Sequence, residues 1–336
     1  MPYEDDASHG YFVLTCFIRR AISAITDLTV PPVGKRHHAP NTGHLLINIS
    51  RTMIIRRVVC LKKCFIERKF SRSAKITWDA FLRNNNGGTS LKKFVVEHYD
   101  IAKAILENTE ITRNHLTPEV KLFLLTENCP LYYESFHENG KFDSFTRNMF
   151  QDSFWSVYWP GGQALTRFIF DEKNEILKNK NTRLEAKRDE LRILDLGAGC
   201  GATAIAAKLT IGSCKIVAND INKVACVAIA MNAMLNNVDI EVSWANLLTG
   251  SPEQPYDLIF VGDLLYDEEM ANNLITWLEK AHTRGARIYL GDPGRHGLTE
   301  NFKKRMRLLK RYFLPENVRK ENYGYDTATV WEFQQI

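Results

Sequence analysis

The sequence predicts an α/β fold built on a doubly wound, mostly parallel sheet, with a small helical extension ahead of it. Three observations predict it. From Arg192 onward, short runs rich in branched apolar residues alternate with helical stretches; the first such run ends in a glycine turn that opens a helix; and the last, Thr327–Phe333, alternates strictly. With 336 residues, 45% hydrophobic and 25% charged, the chain can bury one large core and a modest extra layer. No apolar run approaches the roughly 18 residues of a bilayer span, so no membrane partner is expected.

Residues 1–52 open acidic (Glu4, Asp5, Asp6) and reach the breaker-rich Pro31–Gly43; a disordered extension is expected. Residues 53–75 differ. Arg56, Arg57, Lys62, Lys63, Arg68, Lys69 and Arg72 stand against one acid, Glu67, with apolar residues between them at helical spacing. Amphipathic and cationic character are the needs of a mitochondrial transit peptide, which predicts the matrix; a basic disordered arm is the alternative. The seven cysteines are scattered and read as reduced thiols, and no histidine or cysteine pattern has metal-ligand spacing. No metal is expected.

A helical region is expected over 90–150, with one amphipathic helix over Leu91–Glu107 and another begun by Thr117 as N-cap and Pro118 at its first position. The catalytic domain is expected over 151–336. It opens with three aromatics, a Pro-Gly-Gly turn and the helix Ala164–Phe170, followed by the charged stretch Lys173–Glu190, read as a solvated helix extension and loop. Strands are expected at Arg192–Leu196, Lys215–Asn219, Ile240–Trp244, Tyr256–Val261 and Arg287–Leu290. Helices are expected near Ala202–Thr210, Lys223–Asn236, Glu268–Thr283 and Glu300–Arg311. Thr327–Phe333 could enter the sheet antiparallel.

The strongest local signal is Ile193-Leu-Asp-Leu-Gly-Ala-Gly-Cys-Gly-Ala-Thr203. Gly197, Gly199 and Ala202 loosely satisfy a dinucleotide fingerprint. Two features argue instead for S-adenosylmethionine. Asp195, at the strand tip, would repel a pyrophosphate but favour an ammonium and a sulfonium. Gly197, Gly199 and Gly201 are also spaced more tightly than a pyrophosphate turn requires. Asp220 ends the second strand where an acid can accept both ribose hydroxyls. After the third strand, Trp244 is either core filler or an adenine wall, and Asn246 could bond the adenine edge. Asp263 and Tyr266 follow the fourth strand, where a carboxylate could hold an incoming lysine ammonium and a ring could line its channel. A simple helix start at Asp267 is the plainer reading. Asp292 reads as a polar wall residue and Arg295 as solvated.

These residues, with Leu116–Leu125, Tyr158-Trp-Pro-Gly-Gly-Gln-Ala-Leu165, Leu194–Lys208, Ala218-Asn-Asp220, Gly262-Asp-Leu-Leu-Tyr-Asp-Glu268, Gly291-Asp-Pro-Gly-Arg295 and Thr329-Val-Trp331, resemble the seven-β-strand protein-lysine methyltransferases. Within them they resemble the branch acting on the β subunit of the electron-transfer flavoprotein. The resemblance implies a seven-stranded Rossmann-like sheet, S-adenosylmethionine as methyl donor, that β subunit as protein partner, and a mitochondrial enzyme. It further implies that Asp263 and Tyr266 form the family's Asp-x-x-Tyr/Phe motif and that Trp159 lies by the cofactor. A monomer is expected, and nucleic acid is not expected as a partner. Two departures stand out: Lys173–Glu190 looks longer than the family pattern, and residues 1–52 match nothing in it.

The expected reaction is in-line attack of a neutral lysine amine on the sulfonium methyl, with positioning as the main contribution. Rival readings are a methyltransferase of another protein, of RNA or of a glutamine nitrogen, an NAD-dependent oxidoreductase, and a non-enzymatic binding module. The RNA and glutamine enzymes usually carry Asn/Asp-Pro-Pro-Tyr/Phe, where this chain has Leu264-Leu265.

Overall fold

A computed structural model describes residues 76–334 apart from 86, 133–142, 152, 179–189, 253 and 323. The extension 1–52, the basic segment 53–75 and most of the charged stretch 173–190 lie outside the described residues. Those described fall into two units, 76–125 with 143–334, and the short piece 126–132. The short piece is a turn closed by the Cys129 N–H on the Thr126 carbonyl, followed by a 3-10 turn over Pro130–Tyr132.

The larger unit begins with α1 (Trp78–Asn84), α2 (Thr89–Glu97) and α3 (Tyr99–Asn108). The single helix expected over Leu91–Glu107 is thus two. His98 breaks it at φ −112°, ψ 39°, and both its N–H and its ring Nδ1 lie on the Phe94 carbonyl, a local bond that competes with helix continuation.

Next come β1 (Glu110–Thr112) and β2 (Leu122–Leu124), paired antiparallel. No helix starts at Thr117. Pro118 enters only a turn closed by the Val120 N–H on the Thr117 carbonyl, and Thr117 Oγ1 lies 3.1 Å from the Tyr158 hydroxyl. The chain then extends because the Asn236 and Asn232 side chains capture the Lys121 and Phe123 N–H groups. A tertiary partner has overridden the cap signal.

After α4 (Ser144–Gln151), α5 spans Pro160–Asp171 and α6 Lys173–Leu177. Pro160 takes the first helical position, where its missing N–H costs nothing, so the Pro-Gly-Gly segment is the first turn of α5 and not a separate turn before it.

The sheet then builds through β3 (Leu191–Leu196), α7 (Ala202–Ile211), β4 (Cys214–Asn219), α8 (Lys223–Leu235) and β5 (Glu241–Ser243). It continues with β6 (Leu258–Gly262), α9 (Glu268–Thr283), β7 (Arg287–Asp292), α10 (Glu300–Lys303), β8 (Met306–Phe313), α11 (Glu316–Glu321) and β9 (Thr327–Phe333). Strand order is β5-β4-β3-β6-β7-β9-β8, with β9 antiparallel to both its neighbours and the first five strands parallel.

The helix expected over Glu300–Arg311 is corrected to α10 and β8. Phe302 and Met306 share a helical spacing and are both buried, but residues 306–313 find their backbone partners along β9. Period-2 alternation splits the sheet residues between two covered faces. Leu194, Leu196, Ile259, Val261, Ile288 and Leu290 pack on the α9 side, while on the other Tyr289 meets both Phe260 and Phe168 of α5. The order reverses between β3 and β6, and ligands of doubly wound sheets bind at that switch point.

Candidate active site

At the tip of β3 the chain must turn sharply into α7. Gly197 (φ 68°), Gly199 (φ 54°) and Gly201 (φ 78°) all adopt the left-handed conformation that only glycine takes without strain. Gly197 is doubly constrained, because a Cβ there would collide with the Leu264 side chain. The loop is fastened by Asp220, just past β4: its Oδ2 accepts the Gly199 N–H at 3.0 Å and its Oδ1 the Asn222 N–H at 2.9 Å.

Asp195 is 2% exposed, and its Oδ2 accepts the Ala204 N–H at 2.9 Å in the first turn of α7. Burial pushes its carboxyl up to about 7 against that bond, with Asp220 adding to the rise. Among the described residues Oδ1 accepts no hydrogen bond.

Asp263 follows β6 at φ 58°, a left-handed conformation unusual for a non-glycine residue and common at functional sites. Its backbone N–H donates to the Gly291 carbonyl. Its Oδ2 accepts the Gly162 N–H at 2.7 Å, and its Oδ1 accepts both Nε and an Nη of Arg295, at 3.0 and 2.8 Å. Burial lifts the carboxyl above its usual range, opposed by Arg295 and the Gly162 N–H. The start of α5 can reach Asp263 only because Gly161, Gly262 and Gly291 leave room for backbone against backbone. A Cβ on Gly161 would collide with the Gly291 carbonyl oxygen.

Between these walls lies an open crevice lined by Tyr158, Trp159, Asp195, Gly197, Gly199, Cys200 and Asp263, among others. Five residues singled out from sequence (Trp159, Asp195, Gly197, Gly199 and Asp263) therefore share one cavity. Gly201 stands just behind it as the N-cap of α7, packed on Ile229. Tyr266 is half-buried; burial, with Asp267 and Asp220 near it, pushes its hydroxyl up to about 12.

Asn246 and Trp244 are not brought to the crevice. Asn246 is exposed and caps a 3-10 turn by accepting the Leu248 N–H. Trp244, half exposed, stacks on Phe94 of α2 at an interplanar angle of 20°, so it is not core filler.

Sequence reasoning missed Arg295, which is not solvated: its side chain is 9% exposed, and the guanidinium lies 5.1 Å from the Trp159 ring centroid. The signal was present in Asp292-Pro-Gly-Arg295. Asp292 Oδ1 accepts the Gly294 and Arg295 N–H groups, folding the turn back on β6. Asp292 is itself buried, and burial lifts it to about 7, with Asp263 adding to the rise.

The donor set fits a cationic, phosphate-free nucleoside. Two carboxylates and no lysine or arginine line the crevice, one carboxylate oxygen is open, and a glycine loop admits a ligand against backbone. With a doubly wound sheet whose seventh strand is inserted antiparallel, this defines an S-adenosylmethionine-dependent methyltransferase. Residues 145–309 match the family model described as lysine methyltransferase. Electron transfer flavoprotein beta subunit lysine methyltransferase of Danio rerio is 39% identical over 70% of this chain and 83% of its own length, and that of Mus musculus 40% over 69% and 84%. The Caenorhabditis elegans homolog is 34% identical over 69% of the chain and 96% of its own length. The chain belongs to this family of protein-lysine methyltransferases.

Proposed function

We propose that the chain methylates lysine side chains of the electron-transfer flavoprotein β subunit in the mitochondrial matrix. The observation that carries the site assignment is that Asp195 and Asp263 face one crevice from the tips of adjacent parallel strands. The names of the relatives support the choice of acceptor.

When bound, S-adenosylmethionine supplies a methyl group activated by a positive sulfur. Asp195 receives its ammonium, Gly197 and Gly199 let it lie against backbone, Asp220 accepts its ribose hydroxyls while holding the loop, and Trp159 forms a wall. A lysine at neutral pH is almost wholly protonated, so the acceptor must release a proton to water before its nitrogen can take the methyl group. Asp263 orients that amine, and the Tyr266 ring walls its path. The basic amphipathic stretch 53–75 supports import into the matrix.

Incubating the protein with labelled donor and the purified β subunit, then mapping the product by mass spectrometry, tests the reading. Methyl groups on lysine are expected. Label confined to another residue type, or none, contradicts it. Residues 53–75 fused to a fluorescent reporter should direct it to mitochondria; a cytosolic signal contradicts the location.

A further inference from the structure

Arg295 is buried beside the proposed acceptor path, yet the reaction as described gives it no task. Its Nε and Nη both reach the same carboxylate oxygen, Asp263 Oδ1, while the Gly162 N–H holds Oδ2. The Asp263 carboxylate is therefore fixed from two sides, in position and in charge. The Asp292-Pro-Gly-Arg turn delivers the guanidinium, and its lodging over Trp159 keeps it there. Burial pulls the Arg295 charge down, but Asp263 and Asp292 outweigh it and hold the group above the usual arginine range.

Resting on the reading above, we propose that Arg295 is a positioning residue: it neutralises and aims Asp263, so that Asp263 steers the acceptor amine without trapping it as ammonium. An opposite charge within about 4–6 Å raises the pKa of an amine by roughly 1–3 units. An isolated Asp263 carboxylate would thus bind lysine well in its unreactive form. Paired with a guanidinium, it still accepts a hydrogen bond while its net field is small.

The charged groups facing Asp263 are consistent with this balance. The β7 turn contributes Arg295 and Asp292, with Tyr325 facing Arg295; β3 contributes Asp195 on the same crevice. The start of α5 contributes only the uncharged Pro160, Gly161, Gly162 and Gln163, and β9 contributes Thr329 opposite Asp292. Arg295 is the one cation in this set.

The test is the pH dependence of kcat at saturating donor and acceptor for the full chain and for Arg295→Met and Arg295→Lys, with donor Kd measured separately. In Arg295→Met the ascending inflection should move about one unit alkaline, kcat at neutral pH should fall about tenfold, and part of that loss should return at high pH. Donor Kd should stay within about twofold. Arg295→Lys should bring the inflection back while leaving a severalfold loss, because the bidentate fork is gone. Should the Met variant not fold, Arg295→Gln must show the same alkaline shift. An unmoved inflection, or a donor affinity that falls as far as kcat, overturns the proposal. Failure of the underlying reading shows in the wild type, as absence of lysine methylation; failure of this role shows only in the variants.

Discussion

Asp195 holds its carboxyl near 7 through burial, and its single hydrogen bond to the Ala204 N–H does not offset the loss of water. Between its ordinary value and about 7, the folded chain keeps a proton that the unfolded chain has released. Linkage then makes the donor-free fold lose stability as pH rises through that window. Asp195→Asn keeps an acceptor for Ala204 and removes the buried charge. It should raise stability at pH 8 by about 2 kcal/mol and weaken donor affinity at least tenfold. Denaturation and calorimetry at that pH check both, and a variant unchanged in either measure would remove Asp195 from the account. At Asp263, truncation to alanine strands a buried guanidinium and costs on the order of 3–5 kcal/mol, which would blur any catalytic effect. Asp263→Asn also removes the counter-charge, but it keeps the side-chain shape and an oxygen for Arg295, so it is the milder probe. It should reduce methyl transfer at least a hundredfold with donor Kd within about threefold, since orientation of the acceptor accounts for about that much of the rate. Parallel losses in both would place Asp263 in donor binding alone.

The first turn of α5 shows how an element can matter more than its sequence signal. Gly161 lies against Gly291 so closely that a methyl group has no room, whereas at Gly162 a Cβ would meet the Tyr158 ring at 3.6 Å and Asp263 Oδ2 at 3.9 Å, both ordinary contacts. Gly161→Ala should therefore cost about 3 kcal/mol and most activity, and Gly162→Ala under about 1 kcal/mol, as read by urea unfolding. Equal costs would mean that the close approach is not what fixes α5. Such a contact has no periodicity, so the sequence shows Pro-Gly-Gly only as a breaker. The same holds for Thr117-Pro118, a sound helix-start signal that loses to Asn232 of α8 and its C-cap Asn236, whose side chains capture the Phe123 and Lys121 N–H groups across 109 and 115 residues of chain. Phe302 and Met306 mislead for a related reason: burial at helical spacing arises across a helix-to-strand junction. Where the elements are set by local pattern, as in β3 with its glycine loop and in α8 and α9, sequence and structure agree within a residue or two.

At the scale of the whole molecule, the parallel order and its reversal between β3 and β6 follow from strand–helix alternation, and that reversal puts the crevice where the glycine loop is. The strand tips were legible for this reason: Asp195, Gly197, Gly199, Asp220 and Asp263 lie on or just past parallel strands. Residues whose place depends on pairing across the fold were not. Trp244 went to Phe94, and Arg295 went inward to Asp263. This crevice, with no cation along its lining, Asp263 paired to Arg295 behind it and Asp195 left without a counter-charge, takes a cationic nucleoside and rejects a diphosphate. Titration calorimetry of the purified chain with S-adenosylmethionine and, separately, with NAD tests it directly. Saturable one-site binding of S-adenosylmethionine, weakened in Asp195→Asn, and no heat of binding from NAD are expected. Saturable NAD binding that competes with S-adenosylmethionine for the site, or donor binding indifferent to Asp195, would contradict it.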